Sequence, residues 1–160
     1  MAYTKRILKE LRDVEEDKHA KIKIRPNQSL DHFHATIHGP PDTPYENGIF
    51  LLEIKLPNGY PFDPPHVKFV SKVYHPNISS QTGAICIDIL RKTWSPMMTL
   101  KLVLQSIQIM LGSPVPDDPQ DAQVASHYLE NKTDFDKTAR YWTEVYAHGD
   151  AQLAEMSDEN

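Results

Sequence analysis

Two proline-marked connections constrain this chain most. Pro40-Pro41 and Pro57-Asn58-Gly59 separate runs of strand character at residues 33–38, 49–56 and 67–70, with a further run at 21–25. Proline fixes φ and lacks the backbone donor a sheet ladder needs, so it breaks a strand where it falls. Connections this tight join antiparallel neighbours, whereas a parallel crossover needs a longer segment. The expected sheet is therefore a four-stranded antiparallel meander. Within 33–38, Phe33, Ala35 and Ile37 alternate with His34, Thr36 and His38. That period of two predicts a half-buried strand whose even residues face solvent, away from the core.

Helical periodicity flanks the strands. Ile7, Leu11 and Val14 recur at helix spacing over about residues 3–17, with charges between them. Leu100, Val103, Leu104, Ile107 and Leu111 mark a second helix, ended by Pro114 and Pro116. A short helix is expected over about 120–129. The last expected helix covers about 134–147, with Phe135, Ala139, Trp142 and Tyr146 on one face and Thr133 with Asp136 as a capping pair. Residues 149–160 are small, polar and acidic, and are expected to form a flexible tail. The predicted class is α+β: an N-terminal helix, the meander, a long irregular loop, then helices packed on one face. At 160 residues and 39% hydrophobic, the chain suits one domain, 1–148, with the tail 149–160.

Charge and composition narrow the function. A net charge of −5 argues against general nucleic-acid binding. No apolar run reaches the roughly 18 residues of a membrane helix. One cysteine without a secretion signal favours a reducing cytosol or nucleus. Lys5, Arg6, Lys9 and Arg12 crowd the first helix, either as a solvated face or as a docking surface for an acidic partner.

The chemistry concentrates in residues 72–98, which show no sustained periodicity. Long irregular loops inside compact domains are usually functional. Cys86 lies there, and as a lone thiol it either packs as a small hydrophobe or reacts. His75-Pro76-Asn77 begins eleven residues upstream. A cysteine nucleophile often has a histidine base, and His75 is the obvious candidate for one. A thioester donor is already activated, however, so the thiol needs exposure and some thiolate rather than a strong base. Asp88, Asp117 and Asp118 would oppose thiolate formation.

His75-Pro76-Asn77 with Cys86 resembles the active-site signature of ubiquitin-conjugating enzymes. Gly39-Pro40-Pro41-Asp42-Thr43-Pro44-Tyr45, Tyr60-Pro61-Phe62-Asp63-Pro64-Pro65, Trp94-Ser95-Pro96 and Pro116-Asp117-Asp118-Pro119 follow the family's order and near-family spacing over residues 1–148. The resemblance implies that Cys86 takes ubiquitin as a thioester from the activating enzyme. It then passes ubiquitin to a lysine of a substrate or of ubiquitin, usually with a ubiquitin ligase. ATP is consumed by the activating enzyme, so no cofactor is expected here, and the protein is expected to act as a monomer. His75 takes a structural role. Asn77 has two roles open to it, donor to the tetrahedral oxyanion or tie within its own loop, and sequence does not separate them. Asp118 is implied as acceptor for the incoming lysine, though before Pro119 it also suits a helix cap. Asp88 matches a position that gates the cleft. Lys5, Arg6, Lys9, Phe62, Ser95, Pro96 and Met97 match the surface for ligases and the activating enzyme, with Phe62 and Pro96 exposed and Trp94 largely buried. Tyr60-Pro61 is expected to be cis. In several members the face holding His34, Thr36 and His38 binds a second ubiquitin.

The chain also departs from the family pattern. The gap between Asn77 and Cys86 is one residue longer than in many members. Thr82-Gly83-Ala84-Ile85 and Pro119-Gln120-Asp121 look closest to a branch that often carries a C-terminal ubiquitin-associated domain, for which residues 148–160 are too short. Two other functions fit the resemblance: conjugation of a different ubiquitin-like modifier, and a non-catalytic ubiquitin-binding variant, against which Cys86 and Asn77 argue. His32, His34 and His38 share strand parity, but no carboxylate or cysteine completes a ligand set in sequence, so no metal site is expected.

Overall fold

The computed structural model describes residues 4–158; residues 1–3 and 159–160, including the ends of the expected first helix and tail, lie outside the described residues. Helix α1 (Thr4–Glu16) leads into a meander of β1 (Ile22–Asn27), β2 (Ser29–His38), β3 (Ile49–Lys55) and β4 (His66–Phe69). All three pairings are antiparallel, in the order β1-β2-β3-β4. Helices α2 (Leu100–Gly112), α3 (Ala122–Glu130), α4 (Lys132–Tyr146) and α5 (Gly149–Asp158) complete the α+β architecture.

The core follows from the strand alternation. Phe33 opposes Ile54 and Ile37 opposes Phe50 across β2 and β3. These side chains are fully buried and form one cluster with Ile7 of α1 and Val103, Leu104 and Ile107 of α2. Helix ends follow local hydrogen bonding. Thr99 caps α2 by accepting from the Leu102 N–H. Asn131 caps α4 by accepting from Asp134 N–H, so the helix starts ahead of the expected Thr133–Asp136 pair. The Tyr60-Pro61 bond is cis, as expected.

The acidic tail is not a free tail. Residues 149–158 form α5, which lies against β2 and β3. Its start is pressed onto β3: a Cβ at Gly149 would stand 2.8 Å from the Leu51 nitrogen, a distance only glycine tolerates. The Ile49 N–H donates to the Ala147 carbonyl at 3.1 Å, and Leu153 is buried. The sequence concealed this helix because it has one strongly buried apolar anchor and no apolar stripe. Docking, rather than amphipathic pattern, defines it.

The expected exposure of His34, Thr36 and His38 is therefore also corrected. Thr36 and His34 are buried, and His38 is half-buried. Burial, followed by the charge of His32, lowers the His34 pKa, with Glu53 opposing. Alternation separated the two faces correctly, but it cannot report that both faces are covered.

One buried carboxylate joins α1 to the loops. Glu10 Oε1 accepts from the Leu100 N–H at 2.7 Å, and its Oε2 accepts from Tyr60 Oη at 2.8 Å and pairs with Arg6 at 3.3 Å. Arg6 also donates to the carbonyls of Pro96 and Met98. Removing the carboxylate takes the acceptor from a helix-start N–H, one partner from the buried Tyr60 phenol and the counterion from Arg6. Such losses cost about 3–5 kcal/mol. Glu10→Ala is expected to lower the melting temperature by about 6–20 °C, readable by calorimetry.

Candidate active site

Cys86 sits at the wall of a cleft of about 340 Å³ bordered by Asn77, Asp88, Met110, Val115 and Asp118. A larger groove of about 670 Å³ runs between α1 and β1 but is not lined by the thiol. The loop carrying Cys86 is fastened to the sheet at Gly83. Its φ is +78°, and a Cβ there would fall 2.0 Å from the Phe69 carbonyl oxygen, so glycine is required. The Gly83 carbonyl accepts from the Phe69 N–H at 2.9 Å, which sets the loop against β4.

Asn77 organises the cleft. Its amide Nδ2 donates to the Val115 carbonyl at 2.8 Å and the Asp118 carbonyl at 2.9 Å, and its Oδ1 accepts from the Val115 N–H at 2.8 Å. Its own carbonyl accepts from the Cys86 N–H at 2.9 Å. Both amide hydrogens are therefore engaged in the loop, and donation to an oxyanion would require breaking one of these bonds. Of the two roles that sequence left open, this geometry is that of the loop tie.

Asp118 Oδ2 accepts a hydrogen bond from the Cys86 thiol at 3.4 Å. The helix cap belongs instead to Asp121, whose carboxylate accepts from the Val124 N–H and from Ser80 Oγ at 2.7 Å. Asp118 thus has no capping duty. Asp121 was missed as a site-bracing residue, though an aspartate just ahead of the apolar run that opens α3 was the available signal.

The Cys86 pKa is raised, first by burial and then by the hydrogen bond to Asp118. The Arg91 charge opposes this, while the charges of Asp118 and Asp88 add to it. Two of the three aspartates expected to resist the thiolate therefore do so. Arg91, not singled out in the sequence, is the countervailing cation. Asp88 opens a 3-10 turn (Asp88–Leu90) at the cleft and is exposed.

His75 is not placed as a base. It is fully buried, its Nδ1 accepts from the Asn77 N–H at 3.0 Å, and its Nε2 meets the Met110 carbonyl at 2.9 Å. This pairing makes Nε2 the protonated nitrogen. Burial lowers its pKa to about 4, against hydrogen bonds to the Met110 and Leu111 backbone that favour the charged form.

The docking residues fall on one surface in part. Phe62 is 78% exposed, Met97 is 91% exposed, and Lys5 and Lys9 are exposed. Ser95 and Pro96 are half-buried, and Arg6 is half-buried because it is spent on the loop carbonyls and Glu10. Pro96 is thus less open than expected. Trp94 is half-buried, and its Nε1 donates to the Pro61 carbonyl at 2.9 Å, tying the Phe62 and Met97 loops together.

The site is thus a thiol on an irregular loop, hydrogen-bonded to a carboxylate and carried by a meander backed by helices. Comparison with known proteins gives the family. The family model described as "Ubiquitin-conjugating enzyme" matches residues 6–143. The chain is 53% identical over 144 residues to ubiquitin-conjugating enzyme E2 27 of Arabidopsis thaliana, covering 89% of this chain and 75% of that protein. It is 51% identical over 144 residues to human ubiquitin-conjugating enzyme E2 K, covering 89% and 72%. The solved E2 domain of a Toxoplasma gondii ubiquitin conjugating enzyme superposes with a TM-score of 0.85 at 49% identity, covering 89% of this chain and 97% of that one. The chain belongs to the ubiquitin-conjugating enzyme family and is a thioester-forming ubiquitin transferase.

Two outcomes follow from the geometry. Asn77→Ala removes three hydrogen bonds worth about 1 kcal/mol each, so the melting temperature is expected to fall by about 6–12 °C. A variant that kept its stability but lost only lysine transfer would restore the oxyanion role. Because the folded pKa of His75, about 4, lies below the ordinary value near 6.5, the unfolded chain takes up the proton first as pH falls. Its contribution is complete above about pH 6.5 and is lost progressively down to about pH 4, amounting to about 3 kcal/mol. Urea unfolding across that range is expected to show this loss, and His75→Gln to show less of it.

Proposed function

We propose that Cys86 is the thiol that carries ubiquitin. Its sulfur attacks the thioester carbonyl on the activating enzyme, and that enzyme's cysteine leaves as thiolate. In the second step a lysine amine attacks the Cys86 thioester. An isopeptide bond forms, the carbon–sulfur bond breaks, and Cys86 departs as a thiolate that regains a proton. The exchange draws on a thioester made at the expense of ATP by the activating enzyme, so the reading assigns no cofactor to this chain.

The observation that carries the reading is the placement of Asp118 against the Cys86 sulfur. A free lysine amine has a pKa near 10.4, so an acceptor at the sulfur is needed to orient the amine and take up its positive charge. Asp118 serves as that acceptor, with Asp88 on the neighbouring turn restricting entry. Asn77 holds Asp118 in place through the loop carbonyls.

Ligases and the activating enzyme are assigned to the surface of α1 and the two proline loops. Lys5 and Lys9 supply charge, and Phe62 and Met97 supply apolar contacts that solvent would not otherwise favour. The reduced thiol that the reaction demands supports a cytosolic or nuclear setting.

Incubation with the ubiquitin-activating enzyme, ATP and ubiquitin is expected to give an adduct that reductant cleaves. Cys86→Ser is expected to give a reductant-resistant oxyester, because an alkoxide leaves less readily than a thiolate. A serine variant that discharged as fast as the native enzyme would remove Cys86 from the reaction. Asp118→Asn is expected to charge normally but to release ubiquitin to free lysine roughly 10²-fold more slowly, the scale of a lost acid–base partner. Unchanged discharge in single-turnover assays would contradict the role of Asp118.

A further inference from the structure

The sheet face opposite the main core gathers a donor set for which ubiquitin transfer has no use. His32 and His34 stand two residues apart on β2, on the same face of the strand. The register places Glu53 of β3 directly across from His34. His32 Nε2 lies 3.1 Å from Glu53 Oε2, and the two imidazole centroids are 5.3 Å apart. One ligand atom from each of the three lies within 4.8 Å of the others. Sequence supplied the two histidines, but the carboxylate that completes the set comes from a strand twenty-one residues away, through a pairing that no local pattern announces.

We propose that His32, His34 and Glu53 form a binding site for a divalent transition-metal ion of the zinc class, with a fourth position left to water. Two imidazoles and one carboxylate are a ligand set that zinc takes at about 2.0–2.2 Å per bond. Tetrahedral bonds of that length put ligand atoms roughly 3.3 Å apart. The three donors, now within 4.8 Å of one another, would close to that spacing by side-chain rotation on binding.

The surroundings define which ion fits. Asn27 Nδ2 lies 3.4 Å from His32 Nδ1; a half-turn of that amide would bring its oxygen to accept the Nδ1 hydrogen and leave Nε2 free for the ion. Lys68 and Lys55 lie 3.7 and 3.9 Å from Glu53 Oε1 and oppose a cation. Both lysines are more than half exposed, so they swing into water, and they sit on Oε1 rather than on the Oε2 that faces His32. The donor set of two imidazoles and one carboxylate disfavours magnesium and calcium, which need several oxygens, and favours zinc, copper or cobalt, which bind imidazole. A bound ion would fasten β2 to β3 on the face that α5 partly covers.

The test uses the full chain, stripped with chelator and titrated with Zn²⁺ by calorimetry at neutral pH. One equivalent is expected to bind and to raise the melting temperature. Co²⁺ is expected to bind with the visible absorption of a four-coordinate nitrogen–oxygen site. Glu53→Gln, His32→Ala and His34→Asn are each expected to weaken binding by at least about 10-fold, while His19→Ala, which changes an exposed histidine elsewhere, leaves it unchanged. If buried His34 does not tolerate asparagine, Glu53→Gln and His32→Ala carry the test, with circular dichroism confirming their fold. No binding, binding that survives these variants, or binding lost in Cys86→Ser would overturn the proposal, the last by placing the metal on the thiol.

Discussion

Everything at the cleft hangs from the buried side chain of Asn77. Its amide spans to residues 38 and 41 positions later in the chain and satisfies both a carbonyl and an N–H of Val115 together with the carbonyl of Asp118. The neighbouring Pro76 carbonyl accepts from the Gln120 and Asp121 N–H groups at 2.9 and 3.1 Å. Ser80 adds a bond to the Asp121 carboxylate. Two irregular segments without regular structure of their own thus become a single wall. The Cys86 N–H and the Asp118 carbonyl both bond to Asn77, so nucleophile and acceptor are referenced to one residue. A buried amide with all its donors used is rigid because each alternative rotamer leaves a polar group unpaired.

That rigidity explains the electrostatics of the site. A hydrolase with a cysteine nucleophile lowers the thiol pKa with a histidine, whereas here His75 is buried, neutral and fixed between Asn77 and Met110. Asp118 and Asp88 raise the Cys86 pKa further. A thiol kept neutral at rest reacts slowly with adventitious electrophiles but exchanges with a thioester at little free-energy cost. On the proposed reading, the same carboxylate that restrains the thiol is the acceptor that orients the lysine amine in the second step. The arrangement favours ordered transfer over general reactivity. A second buried ionic group, Glu10 with Arg6, fixes the docking loops against α1 and leaves Phe62 and Met97 outside.

Sequence carried the meander, α1 and α2, because each rests on a local period or a local breaker. Phe33, Ala35 and Ile37 were readable as core from alternation alone. What escaped depended on contacts distant in sequence. Helix α5 has a single buried leucine, Leu153, and exists through its contact with β2 and β3. The burial of Thr36 follows from it. Glu10 reads as one more charge on a solvated helix until Leu100 and Tyr60 are seen around it. The loop-tie geometry of Asn77 shows only when its amide hydrogens are followed to Val115 and Asp118. Glu53 joined the histidines only through strand register.

The central claim is that the wall built on Asn77 holds Asp118 against Cys86 and keeps the thiol protonated. The most direct measurement is the rate of Cys86 alkylation as a function of pH in the native protein and in Asp118→Asn. Cys86 is the only cysteine, so a single rate reports it. The native midpoint is expected above the ordinary thiol range of about 8–9. Asp118 both accepts the thiol hydrogen and repels the thiolate, so its replacement by asparagine is expected to lower the midpoint and speed alkylation at neutral pH. A native midpoint below that range, or one that Asp118→Asn leaves in place, would contradict the account.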